Sequence, residues 1–284
     1  MRKLLGVSLA VLGLAVGGLS ARAADAKIVL IAGRPSHGPG EHEFNAGIKL
    51  LAHCLEQVPG VEPVVVTGGW PQDEGVFRGA QSVVFFMDGG QGHPMIQPKE
   101  RLETMRRLLD DGVGLVCLHY AVEVPKGEPG ERFLQWLGGY YEPGYSDNPH
   151  NDVTVVPKED HPITRGVTSF RANDEWYFKI RFRDDDPRVT PILTARNLVG
   201  HDRKTYTEPQ VVAWATERRD GGRSFGFTGA HFHKNWGIPE FRTLVLNAIA
   251  WSARREIPSE GIRSEVTADE LAKNLDPKGQ PKGR

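Results

Sequence analysis

The sequence predicts an α/β chain in which helices cover both faces of a mainly parallel sheet. Two observations predict it. Apolar runs of strand length alternate with segments of helical period, and those runs are apolar throughout rather than at every second residue. A strand buried on both faces reads that way, and it belongs to a parallel sheet with helices above and below.

KIVLIAG (Lys27 to Gly33) is the first such run. Phe44, Ile48, Leu51 and Leu55 follow at helical spacing, and Pro59-Gly60 ends the helix. VEPVVVTGG, QSVVFFMDGG and GVGLVCLHY supply three more strands. Between the last two, Pro98 opens a helix with Leu102, Met105, Leu108 and Leu109 on one side, closed by Gly112. Residues 122–173 are rich in Gly, Pro and aromatics and read as an elaborated excursion rather than a second core. DEWYFKIRF, RVTPILTA, QVVAWATER and RSFGFTGAHFH then read as strands, and Pro239 to Arg254 as a last helix. From Pro258 to the end a polar tail with a short amphipathic turn is expected to pack loosely on the surface.

Ahead of the domain, Arg2 and Lys3 precede an apolar run from Leu4 to Leu19 and then Ala21-Arg22-Ala23. Basic, apolar and small-x-small segments in that order make a signal peptide over residues 1–23, which implies a secreted or periplasmic protein. The run falls short of the ~20 residues that a span needs, so stable membrane insertion is not expected after cleavage. A net charge of −1 favours neither nucleic acid nor an anionic membrane as partner. Cys54 lies in a helical pattern and Cys117 in a strand, so buried free thiols are expected rather than a disulfide.

Ligands of open parallel sheets bind outside the carboxyl ends of the strands. Here those ends carry SHGPGEHEF (Ser36 to Phe44), DGGQGHP (Asp88 to Pro94), His119 with Glu123, and GAHFHKNW (Gly229 to Trp236). Seven of the ten histidines, at 37, 42, 93, 119, 150, 231 and 233, fall at strand ends or in Gly-rich loops. That concentration predicts a site. No glycine fingerprint for dinucleotides follows a strand, and there is no phosphate-binding loop.

GLVCLHYA followed downstream by FGFTGAHFH and FRTLVLNAIAW, with HPITRGV (His161 to Val167) and DEWYF (Asp174 to Phe178) between them, resembles the ThuA-like family of trehalose utilisation. The resemblance runs from about Lys27 to Arg255 and places the domain at 24–257, with 258–284 as its tail. It implies the flavodoxin-like, class I glutamine amidotransferase-like three-layer sandwich. Amidotransferases of that fold carry a Gly-flanked cysteine on the turn after the fourth strand, with a His-x-Glu later. This chain has His119 at the turn, Cys117 inside the strand, and His231-Phe232-His233-Lys234 with no Glu after it. A thiol nucleophile needs exposure and a base, so glutaminase chemistry is excluded.

Histidines with carboxylates suggest a divalent cation instead, Zn first, with Mn, Fe or Ni as alternatives. His119, His231 and His233 are the expected ligands, the last two pointing the same way if they lie on one strand. Glu175, Glu123 and His37 are the expected catalytic groups. His119 and Glu123 share a face if a helix starts there, and His37 suits an orienting role. Asp174 and Glu175 alternate in direction, so one carboxylate enters the pocket, and the resemblance favours Glu175. The sequence leaves open whether Glu41, His42 or Glu43 reaches the ion. Half of Trp70, Trp136, Tyr140, Tyr141, Tyr145, Trp176 and Trp236 are expected in the core, the rest as a sugar platform. Asp88, His93, Asn148, His150, Trp176, Asn235 and Trp236 are the expected substrate contacts. The resemblance implies carbohydrate catabolism and an oxidised (3-keto) glycoside, acted on by metal-dependent lyase, isomerase or hydrolase chemistry. A non-catalytic sugar-binding protein is the alternative.

Overall fold

The computed structural model describes residues 25–279; the expected signal peptide lies outside them. Alternation within the strands sets the layers. In β1 (Ala26–Ala32), Ile28, Leu30 and Ala32 face one core and Val29 and Ile31 the other. The helix α1 (Phe44–Glu56) lies on the first face with Phe44, Ile48, Leu51 and Leu55 fully buried. Next come β2 (Val61–Val66) and β3 (Ser82–Phe86), then α2 (Glu100–Asp110), which puts Leu102, Met105 and Leu109 on the opposite face. β4 (Gly114–Leu118) repeats the split, with Val116 and Leu118 against Leu115 and Cys117. Then α3 (Glu128–Trp136) joins α2's side through Phe133 and Leu134, and β5 (Gly139–Tyr140) follows.

The second half adds β6 (His150–Pro157), β7 (Phe170–Glu175), β8 (Arg181–Phe182) and β9 (Val189–Ala195). After them come β10 (Leu198–Val199), β11 (Thr205–Tyr206), β12 (Gln210–Glu217) and β13 (Arg223–Phe227). Nine strands form one sheet in the order β2-β1-β3-β4-β13-β12-β9-β6-β7. The run from β2 to β13 is parallel, and from β13 onward each pairing is antiparallel. The parallel part has the flavodoxin-like order, whose switch point lies between β1 and β3. The three-layer expectation holds.

Three expectations need correction. DEWYFKIRF is not one strand: β7 ends at Glu175 and β8 takes up only Arg181–Phe182. β6 and β7 belong to the main sheet, so residues 122–173 are only in part an excursion. The segment from Pro258 is also not loosely attached. Asn247 Oδ1 accepts from the Ile262 amide at 2.8 Å, Arg242 donates to Ser264, and the Asp276 amide donates to Glu43 Oε2 at 2.7 Å. That cover explains why α4 (Pro239–Ser252) is buried almost all round. A capping box between Thr267 and Glu270 starts the short helix α5 (Ala268–Leu271). Among the described residues no helix is long and apolar enough to cross a membrane.

Candidate functional site

The loops at the carboxyl edge of β1, β3, β4 and β13 converge there with the end of β7. His37, His42, His119 and Ala230 take the left-handed conformation, with φ of 59°, 45°, 53° and 91°. For residues with a Cβ this costs about 1–3 kcal/mol each, and it persists where the surroundings dictate it. Two glycines let the loops close in. A Cβ on Gly89 would lie 2.1 Å from the Tyr120 carbonyl oxygen, and one on Gly229 would lie 2.8 Å from the Trp176 ring.

Asp174 and Glu175 part company as their alternation requires. Asp174 is fully buried and accepts from the amides of Ala230 (2.8 Å) and His231 (2.9 Å) and from Asn235 Nδ2 (2.9 Å). It ties the end of β7 to the loop after β13. Glu175 points into the pocket, where its Oε2 lies 3.4 Å from His119 Nε2 and 3.2 Å from His231 Nδ1. His42 Nε2 completes the group, 3.0 Å from both His119 Nε2 and His231 Nδ1. A tetrahedral zinc site with bonds of ~2.0–2.1 Å separates its ligands by about 3.3 Å, so these spacings suit one cation.

The outer hydrogen bonds sharpen that fit. His119 Nδ1 meets the Thr228 carbonyl oxygen at 2.8 Å; a carbonyl only accepts, so the ring hydrogen is on Nδ1. His42 Nδ1 meets Asp88 Oδ1 at 3.1 Å, and a carboxylate likewise places the hydrogen on Nδ1. Both Nε2 atoms are therefore bare in the neutral rings, and they face each other across 3.0 Å. Facing lone pairs repel unless a cation or a proton lies between them. Burial, with the neighbouring His119, His37 and His231, holds His42 far below the ordinary imidazole range, which disfavours the proton. Burial would raise the Glu175 carboxyl, but its closeness to the His119 and His231 rings prevails and holds it well below the carboxylate range.

The remaining expected residues separate into neighbours and bystanders. His37 stacks on His42 with ring centroids 3.6 Å apart and is exposed at the mouth. Asp88 orients His42 and is itself held by Ser36 Oγ at 2.8 Å; burial raises its carboxyl. His150 pairs with Glu175 across β6 and β7, and its exposed ring lies 5.1 Å from that of His231. Glu123 is half-buried and pushed up to about 7 by burial and by the Glu175 charge. It follows one 3-10 turn, His119–Val122, rather than lying on a helix, so it shares no helical face with His119. His233 is corrected. β13 ends at Phe227, His233 opens a 3-10 turn, and its Nε2 is bonded to the Leu271 carbonyl at 2.8 Å, away from the cluster. His93 is fully buried against the Ala121 carbonyl and the Met95 amide. Trp176 and Trp236 are fully buried, Trp136, Tyr140 and Tyr141 nearly so, and Asn235 braces Asp174; these do not form a sugar platform. Asn148, expected as a hydroxyl contact, donates to Glu175 Oε1 at 3.1 Å and accepts from Tyr141 at 3.0 Å, which fixes the carboxylate.

The model of one protein family, ThuA, described as trehalose utilisation, matches residues 29–252. The chain belongs to the ThuA family. A solved chain from Bacteroides uniformis described as thua-like superposes with a TM-score of 0.63 at 17% identity, covering 85% of this chain and 96% of that one. Another, from Parabacteroides merdae and described in the same words, gives 0.59 at 18% identity, covering 86% and 94%. At that identity the likeness speaks for the fold. No curated protein matches the chain. Cys117, behind the position where the resemblance implies a nucleophile, is fully buried and its thiol is pushed well up by burial, so thiolate chemistry has no foothold in this ThuA fold.

Proposed function

We propose that this ThuA protein is an exported, metal-dependent enzyme of carbohydrate catabolism that acts on an oxidised (3-keto) glycoside. The observation that carries the metal is the pair of bare imidazole nitrogens, His42 Nε2 and His119 Nε2, 3.0 Å apart beside His231 Nδ1 and Glu175 Oε2. His42, His119, His231 and Glu175 would hold the ion. When bound, a divalent cation there would polarise a carbonyl and an adjacent hydroxyl of the sugar. Asn148 keeps the Glu175 carboxylate turned to the cluster, and Asp88 and Thr228 fix the ring nitrogens that face it. Glu123 is the better candidate for moving a proton. Its carboxyl, near 7, changes protonation around neutral pH, whereas Glu175 has both oxygens engaged. Glu123 would take the proton from the carbon alpha to the keto group. In elimination the bond from the next carbon to the glycosidic oxygen breaks and the departing oxygen takes that proton, whereas in isomerisation the proton goes to the former keto carbon as the adjacent hydroxyl carbon becomes the ketone. The sugar itself rests on the family's description as trehalose utilisation.

The test is elemental analysis of the purified protein together with turnover of a 3-keto glycoside, before and after chelation. About one metal per chain and chelator-sensitive turnover, both lost in a folded His119→Ala variant, are expected. Metal-free protein with His119→Ala unchanged in activity would overturn the reading. Sugar binding without turnover would point to a carbohydrate-binding protein on the same fold.

A further inference from the structure

His42 sits at the centre of the cluster in a backbone conformation that its own side chain disfavours, so something outside the loop must hold it there. The His42 amide donates to the His231 carbonyl at 2.9 Å, which secures one side. The other side is secured from the far end of the chain. The Lys278 side chain is only 4% exposed, and its ammonium donates to the carbonyl oxygens of Glu41 and His42. Nζ also lies 3.3 Å from Glu43 Oε1, and Glu43 is 1% exposed. That carboxylate accepts from the Gly40 amide at 2.8 Å and the Asp276 amide at 2.7 Å. Asn45 donates to Asp276, and His233 holds the Leu271 carbonyl, so α1, the His42 loop and the segment after α5 share one buried polar network.

We infer that residues 267–279 form a strap and that Lys278 is a positioning residue for His42. A buried ammonium is costly unless it is paired and fully hydrogen-bonded. Here it has a carboxylate on one side and two carbonyls on the other, and both carbonyls belong to the residues that turn the His42 ring inward. Lys278 acts through the backbone of His42, by the bond to its carbonyl oxygen. His233, unsuited as a ligand, gains a role in the same strap.

The inference rests on the metal reading for its effect on binding, but its structural half is measurable without any ion. Deuterium uptake of the peptide covering residues 38–44 is compared in metal-free wild type and Lys278→Met, with β12 as internal reference. Co²⁺ affinity and its visible absorption are measured alongside. Uptake at 38–44 is expected to rise at least about tenfold in rate while β12 is unchanged. Co²⁺ affinity is expected to fall about 10- to 100-fold, the range seen when a ligand's supporting partner is lost, with an altered absorption spectrum. Should Lys278→Met fail to fold, Lys278→Gln, which keeps a donor, is expected to show the same changes at smaller size. Unchanged uptake at 38–44 in a folded variant would overturn the strap. Wild type that takes up no Co²⁺ would overturn the metal reading and leave the uptake result to decide the strap.

Discussion

His42 illustrates how much one residue depends on its neighbours. SHGPGEHEF marks its region from the strand end and the crowding of histidines, but nothing in the spacing separates His42 from Glu41 or Glu43. The distinction comes from φ at His42 and from contacts made by residues far along the chain, at 88, 119, 231 and 278. For Glu175 the sequence does better. Adjacent carboxylates on a strand must face opposite ways, and here one meets the histidines while Asp174 holds backbone amides. Glu175→Gln keeps the shape and removes the charge; Zn²⁺ affinity by calorimetric titration is expected to drop at least about tenfold, since a neutral amide oxygen is a poorer ligand than a carboxylate. Asp174→Ala orphans the buried amides of Ala230 and His231 and the Asn235 side chain. Urea denaturation is expected to show a loss of about 3 kcal/mol or more, each unsatisfied buried donor costing ~1–3 kcal/mol.

At the scale of elements, β1 to β4 and the helices between them are legible because their apolar runs and helical periods are long. β6 is the longest strand among the described residues that the sequence reading misses, although its burial alternates strictly from exposed His150 to buried Val155. Its polar half, Asp152 and Thr154, faces solvent, and the Gly- and Pro-rich stretch before it masks the period of two. His233 fails for a related reason. The run RSFGFTGAHFH looks continuous, yet pairing stops at Phe227 and the chain turns through Gly229 and Ala230. The turn after β6 offers a pH test. His161 Nδ1 accepts from the Ile163 amide at 3.1 Å, and burial, with Lys158 and Arg223 nearby, lowers its pKa to about 4. A lowered folded-state value means the stability it contributes is full above its ordinary 6.5 and is lost as pH falls toward 4. His161→Asn keeps an acceptor without titrating in that range, so its stability relative to wild type is expected to improve from pH 6.5 to 4 in urea denaturation. A constant difference would contradict the assignment.

For the whole molecule, the site is a meeting point of both halves of the chain. β1, β3 and β4 supply His42, Asp88 and His119, and the antiparallel wing with the loop after β13 supplies Glu175 and His231. The strand-end rule therefore finds the place, while the membership of the cluster depends on tertiary contacts that no local pattern encodes. A cation bound only by the folded chain stabilises it by about 2.7 kcal/mol at a hundredfold excess over Kd. At ~2–4 °C per kcal/mol for a chain near this size, chelation is expected to lower Tm by about 5–10 °C in a thermal scan. The most direct measurement is anomalous scattering from a crystal of the protein supplied with Zn²⁺. A single peak about 2.0–2.2 Å from His42 Nε2, His119 Nε2, His231 Nδ1 and a Glu175 oxygen is the predicted result. A fully exposed crystal with no peak among those four atoms, or a peak bound elsewhere, would contradict the account.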